Sequence, residues 1–403
     1  MTMRVLRWVA VLLVGLAVPV RADVRLPAIL SDHMVLQRAV AVPIWGWAEA
    51  GEKVTVKIPG QTKTATADAQ GRWMVKLDAL KAGGPHQMTV TATNTLTVSD
   101  VHKHLRVPVG LINASVGGTP IENWTPASAL EDPVFKTALD EWRRTVGASN
   151  PGSKILPFGT LHNGMIAPLV PYALRGALWY QGERNCRMGT QWLYRKLLPA
   201  LIGGWRKAWG RDDLPFLYVQ LPNWRGHHRG VDDDWAIMRE SMAKVLAVPG
   251  TGMAVAIDVG DSGNIHPKNK QAVGARLALA ARAVAYGETL IHSGPLFESM
   301  AAKGGNLCLR FKHVGEGLVA KGGKLTGFTI AGADRKFVPA QAVIEGETVI
   351  VTSPEVMEPL AVRYGWANDP KCSLYNKAGL PASPFRTDEW PVRGQPGYQP
   401  DQQ

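Results

Sequence analysis

Through the first hundred residues apolar and polar positions alternate. Val54, Val56 and Ile58 share one parity, as do Trp73, Val75 and Leu77, then Met88 and Val90, then Leu96 and Val98. A period of two marks half-buried strands. Turn signals part them at Ala50-Gly51-Glu52, Ala69-Gln70-Gly71 and Gly83-Gly84-Pro85, so residues 24–101 predict a small β-sandwich. From Val107 the period changes. Residues 107–114 are a continuous apolar run that predicts a buried strand, ending in Ser115-Val116-Gly117-Gly118-Thr119. Helical spacing follows over 126–146 and 192–209, the latter with Leu197, Leu198, Leu201, Ile202 and Trp205 on its packing face. A strand over 216–221, a helix over 235–248, a strand over 253–259 and an Ala-rich helix over 268–286 complete the series. Strand–helix alternation with buried strands predicts a parallel, doubly wound α/β sheet. After Gly287 short, Gly-punctuated β segments return as far as about Tyr364, and the tail from Gly394 has a disordered composition.

Composition adds bounds. At 403 residues the chain is too long for one ordinary core. Its 46% hydrophobic and 19% charged content is that of a soluble globular protein. Residues 1–22 stand apart: Arg4 and Arg7 precede an apolar run, and Val20-Arg21-Ala22 has cleavage-site spacing. That pattern predicts a secretory signal peptide, too short for a membrane span, and a periplasmic or secreted product. The expected division is then 1–22 signal peptide, 23–103 β-sandwich, 104–287 α/β domain, 288–393 β-rich region and 394–403 tail. The formal charge is +12, but the basic residues are scattered and no nucleic-acid motif accompanies them, so an acidic glycan is a better partner than nucleic acid. Fourteen tryptophans offer faces for sugar rings, although most are expected in the core. Cys186, Cys308 and Cys372 have no metal spacing; a Cys308–Cys372 disulfide is compatible with an oxidising compartment, and the sequence does not decide it. No metal or other cofactor is expected, and the oligomeric state is not legible.

The candidate chemistry centres on residues 176–185. An apolar run over 177–180 breaks into Gln181-Gly182-Glu183-Arg184-Asn185, and the carboxyl end of a buried strand is where α/β enzymes display polar groups. Gly182 would let backbone approach a ligand, and Asn185 could donate to a developing oxyanion. Farther on, Asn264-Ile265-His266-Pro267 places a lone histidine before a helix. With Pro267 at the first helical position, His266 would face the positive helix end, which favours the neutral, proton-accepting ring. Together they suggest esterase chemistry. A glycosidase pairing Glu183 with a carboxylate of Asp232-Asp233-Asp234 is a weaker alternative, since nothing fixes their separation.

These residues resemble the sialate O-acetylesterase family, carbohydrate esterases of the SGNH-hydrolase superfamily. The resemblance runs from Leu26-Pro27-Ala28-Ile29-Leu30-Ser31-Asp32-His33-Met34-Val35-Leu36-Gln37 through Val109-Gly110-Leu111-Ile112 and Gly117-Gly118-Thr119. It continues in Asn163-Gly164-Met165-Ile166-Ala167-Pro168-Leu169, Trp179-Tyr180-Gln181-Gly182-Glu183, Arg239-Glu240 and His266-Pro267-Lys268-Asn269-Lys270, and ends in Tyr364-Gly365-Trp366 and Leu374-Tyr375-Asn376. It implies hydrolysis of O-acetyl esters on sialic acids or related glycans, with His266 as base and Gly117 or Gly118 and Asn185 as oxyanion donors. Asp258 or Asp261 would orient the histidine, because Asn264 stands where many relatives carry an aspartate. Gln181, Glu183 and Arg239 would bind substrate. The implied fold is an SGNH-like sheet between an N-terminal β-sandwich and a β-rich C-terminal region.

One block is missing. The family's Gly-Gln-Ser-Asn segment, which carries the nucleophile, occurs nowhere; Val98-Ser99-Asp100-Val101 runs through His102-Lys103-His104-Leu105-Arg106 into Val107. The sheet is therefore expected to lack its first strand and helix. Three readings stay open: an impaired, internally deleted esterase, a non-catalytic glycan-binding relative, or an enzyme in which Ser115 is the nucleophile. Acetylated xylan is an alternative substrate.

Overall fold

The structure is a computed structural model that describes residues 24–31, 34–83, 86–91, 95–99, 110–137, 139–140, 156–226, 233–393, 395 and 397–398. The signal-peptide segment, the junction 100–109, the helical reading beyond 140, Asp232 and most of the tail lie outside the described residues. The chain forms two compact units, one up to Ile112 and one from Asn113.

In the first unit the period-two segments become strands. Val42–Trp47 (β1) pairs antiparallel with Arg72–Leu77 (β4). A second sheet runs β3-β2-β5-β6, built from Lys53–Ile58 (β2), Gln61–Thr66 (β3), Gln87–Thr91 (β5) and Thr95–Ser99 (β6). Val42, Ile44, Val54, Val56, Trp73, Val75, Leu77, Met88 and Val90 are all buried, the inward set that the alternation requires.

The second unit holds a parallel three-stranded sheet of Ala177–Trp179 (β7), Phe216–Gln220 (β8) and Thr251–Val255 (β9), ordered β7-β8-β9. β8 is buried at every position, as a central strand covered on both faces must be. The helix Tyr194–Trp209 buries Leu197, Leu198, Leu201, Ile202 and Trp205, and Gly210 caps its end in the left-handed conformation. Around it Trp179 and Trp205 meet edge-on with centroids 6.2 Å apart, and Trp205 meets Phe216 at 5.7 Å. Helices Asp234–Lys244 and Lys270–Val284 complete the α/β layer. Antiparallel strands then form two four-stranded sheets and a two-stranded ribbon from residues 296–386.

Two expected elements differ. Described residues 110–114 form no strand, and Leu111 is 82% exposed. A strand is held by its ladder, and among the described residues β7 pairs only with β8. Residues 126–146 begin instead as a 3-10 turn, Ala127–Leu130, with α-helix over 133–137 and 139–140. Cys186, Cys308 and Cys372 are all free. Among the described residues no helix is long and apolar enough to cross a membrane.

The C-terminal strands hold the carboxyl ends of the parallel sheet. Gln220, the last residue of β8, donates to Ser383. Glu240 accepts from both Arg195 and Arg386, and Arg386 in turn shares Asp388 with Arg363. Glu240, Arg386, Asp388 and Arg363 lie at 9% exposure or less, where ion pairs survive because each charge is partnered.

Candidate active site

Past the carboxyl end of β7 the chain makes a short helix, Glu183–Arg187. Its fold rests on Asn185, which is fully buried. Asn185 Oδ1 accepts the Ile121 amide at 3.1 Å and Gln181 Nε2 at 2.9 Å. Its Nδ2 donates to both Glu122 oxygens, at 3.0 and 3.1 Å, and to Thr190 Oγ1 at 3.0 Å. Gln181 Nε2 also donates to the Thr119 carbonyl, and the Tyr194 hydroxyl lies 2.9 Å from Gln181 Oε1 while accepting from Trp179 Nε1. The network thus ties the turn after Gly117 and Gly118 to the turn after β7. Both glycines are exposed.

Glu122 is 1% exposed and its carboxylate meets amide donors rather than a cation. Burial pushes its carboxyl up to about 7, against the pull of its own backbone amide and of Asn185. Pattern reading missed this residue, because its partner lies 63 positions away.

His266 is exposed, and its backbone amide donates to Asn264 Oδ1. The helix after it begins at Lys270 with Asn269 as its side-chain cap, so Pro267 is not its first residue and His266 sits a full turn outside the helix end. The positive helix end therefore does not act on His266 as the sequence pattern suggests, because such effects fall off within the first turn. Glu183 is its charged neighbour. Burial raises the half-buried Glu183 carboxyl, and its backbone amide, His266 and Lys270 draw it back down. Among the described residues no side chain hydrogen-bonds that carboxylate. Lys270 Nζ stands 4.8 Å over the Tyr180 ring, whose buried hydroxyl has no partner among the described residues.

Other expected site residues are engaged elsewhere. Asp258 receives two bonds from Arg276, at 2.6 and 2.8 Å, and one from Tyr375. Burial alone would raise its carboxyl, but Arg276 outweighs that and holds it below the usual range. Asp261 accepts from the Gly263 amide at an exposed bend. Arg239 is fully buried and donates to the carbonyls of Leu221, Pro222, Ala367 and Asn368, so it braces the fold instead of presenting a cation to substrate. Asn185 has both its amide hydrogens occupied, so it is not an open oxyanion donor here. Gly182 is buried at φ 158°, a backbone conformation that L side chains rarely adopt, and a Cβ there would lie 2.8 Å from Met242 Cε and 3.2 Å from Leu221 Cδ1; backbone conformation and packing account for the glycine. The Ser115 hydroxyl donates to Asn113 Oδ1. Asp233 and Asp234 pair with Arg393.

What converges is a solvent-exposed imidazole within electrostatic reach of a half-buried carboxylate, with a hydrogen-bonded polar turn at the strand end. That pair suits proton abstraction. Comparison with known proteins decides the lineage. The profile of the carbohydrate esterase, sialic acid-specific acetylesterase family matches residues 60–283. The chain belongs to that acetylesterase family. Its relatives include the sialate O-acetylesterase of Rattus norvegicus, 27% identical over 90% of this chain and 94% of that protein, and the sialate O-acetylesterase of Homo sapiens, 34% identical over 70% of this chain and 57% of that protein. The match thus takes in less than two thirds of the human relative's length. A carbohydrate acetylesterase from Xanthomonas citri superposes with a TM-score of 0.76 at 36% identity, covering 91% of this chain and 100% of its own. The rat alignment runs over 516 positions against 403 residues here, so at least 113 of them face no residue of this acetylesterase-family chain.

Proposed function

We propose that this chain is a sialate O-acetylesterase-like carbohydrate esterase, acting on O-acetyl groups of sialic acids or related glycans, and impaired by loss of the nucleophile segment. The observation that carries the reading is that Glu183, at the turn after β7, lies within electrostatic reach of the exposed His266 in a chain of this family. In it His266 takes the proton and Glu183, not Asp258 or Asp261, steadies the imidazolium, because both aspartates are committed elsewhere. The turn at Gly117 and Gly118 borders the acyl site, and Gln181 and Asn185 hold it in place. The absent Gly-Gln-Ser-Asn block, the unmatched positions in the rat alignment and the unladdered residues 110–114 all support loss of the first strand and helix. Division at about residues 103 and 287, and export directed by residues 1–22, complete the proposal.

Loss of one oxyanion donor costs about 2.7–4 kcal/mol of transition-state stabilisation, before loss of the nucleophile itself. Serine proteases without triad members keep ~10³–10⁴-fold catalysis over water through an intact oxyanion hole, and the present chain, short of such donors, is expected to hydrolyse an acetyl ester very weakly or not at all. The test is acetate release from an O-acetylated sialic acid by the chain, its Ser115→Ala variant and a chain with the Gly-Gln-Ser-Asn segment restored. Restoration should raise the rate by several orders of magnitude. Full activity of the present chain that vanishes in Ser115→Ala would overturn the proposal and make Ser115 the nucleophile.

A further inference from the structure

The two sheets of the first unit present unlike outer faces. On β2 and β3 the residues turned away from the core are Lys53, Thr55, Lys57, Thr62, Thr64 and Thr66, an ordinary solvated surface. On β1 and β4 they are Pro43, Trp45 and Trp47 against Lys76, Met74 and Arg72, paired in that order. Directly opposed residues of an antiparallel pair project from the same face, with Cβ atoms about 4.5–5.5 Å apart. Trp47 is 40% exposed and Met74 is 44% exposed. The aromatic side chains are thus on the wet side of a sheet whose inner side is already filled by Val42, Ile44, Trp73, Val75 and Leu77.

A third segment widens the face. Arg25 bridges Trp47 on the free side of β1, with amide–carbonyl bonds of 2.8 and 2.9 Å in both directions. Gly46 makes the approach feasible, since a Cβ there would stand 2.1 Å from the Arg25 carbonyl oxygen. The result is a row Arg25–Trp47–Arg72 across three strands. Arg72 is committed to Asp68 and Gln70. Among the described residues, Arg25 and Lys76 form no ion pair. Lys76 lies four residues along β4 from Arg72, about 13 Å at strand spacing.

We propose that the outer face of β1 and β4 docks an anionic saccharide of several residues, its sugar ring lying on the Trp47 indole and its carboxylates meeting Arg25 and Lys76. Indole supplies a large rigid apolar surface that needs no reshaping. Charge complementarity favours an acidic over a neutral sugar, because Asp68 is neutralised by Arg72 while Arg25 and Lys76, which form no ion pair among the described residues, outnumber the exposed Glu49 two residues past Trp47. This platform is separate from the ester site, so failure of acetate release would not bear on it.

The experiment titrates the full chain with α2,8-linked hexasialic acid and, in parallel, with neutral maltohexaose, by calorimetry at low and high salt. Saturable binding of the acidic hexamer is expected, weakened about tenfold or more, some 1.4 kcal/mol, by Trp47→Ala. Arg25→Gln should weaken it less and remove part of its salt dependence. Both side chains are exposed, so thermal midpoints should match the parent and exclude unfolding as the cause. Binding unchanged in Trp47→Ala, equal binding of maltohexaose, or no saturable binding overturns the proposal.

Discussion

The most exacting test of the site's architecture is the protonation of Glu122. Its carboxyl stands at about 7 in the folded chain against an ordinary value of 4.5, with burial the leading cause. A raised folded value means the native state holds its proton more tightly than the unfolded chain does. Stability from this source is therefore complete below about pH 4.5 and is lost as pH rises through about 7. At 1.36 kcal/mol per unit the full swing is about 3 kcal/mol. Replacing the carboxyl by an amide removes the titration while keeping an oxygen to accept from Asn185. Glu122→Gln should lower stability near pH 5, because its added N–H group is buried without an assured acceptor, at about 1–3 kcal/mol. Its decline between pH 5 and 7.5 should nonetheless be shallower than the parent's by about 2 kcal/mol, the part of the swing that falls in that window. Urea unfolding of both chains across that range measures the difference, and other titrating groups cancel between them. Parallel pH profiles would refute the argument and place Glu122 in a wetter or differently partnered setting.

Arg239→Met should destabilise by about 3–5 kcal/mol, as for a broken buried polar network, because four carbonyls lose their donor; thermal unfolding reads it, and a neutral result would restore Arg239 to the substrate-binding candidates. Gly182→Ala should cost about 1–3 kcal/mol from overpacking, and in a double-mutant cycle the two changes should cost less together than the sum of Gly182→Ala and Met242→Ala alone if Met242 Cε is the clash. In a chain with the nucleophile segment restored, Glu183→Gln should lower kcat/KM by up to about 10⁴-fold, as loss of an imidazole-orienting carboxylate does, whereas Asp258→Asn should act mainly on stability. The reverse ranking would return the orienting role to Asp258.

The sequence was most readable where one residue's neighbours decide its fate. Period two located the sandwich strands, and the spacing of Leu197, Leu201 and Trp205 placed the helix that packs under the sheet. It was least readable where a distant partner decides. Residues 107–114 look like a buried strand by composition, yet the described part, 110–114, stays out of any ladder. Asn185 looks like a surface-turn amide, but bonds to Ile121 and Glu122 turn it into an internal post. Asp258 follows a buried strand, as an orienting acid should, and only the structure reveals Arg276 and Tyr375 upon it. A polar residue's type limits what it can do, whereas its role depends on which partner claims it first.

That principle bears on why a three-stranded sheet can keep a site framework at all. The ends of β8 and β9 are braced by Ser383 on Gln220, Tyr375 on Asp258 and the carbonyls of residues 367 and 368 on Arg239. None of these contacts involves a residue before Gln220. Asn185, Glu122 and Gln181 likewise close their hydrogen bonds among themselves and their neighbours. The amides of Asn185 and Gln181 are thus held by partners of their own turn and of residues 119–122, and pairing of that kind fixes the position of a buried polar side chain without help from distant segments.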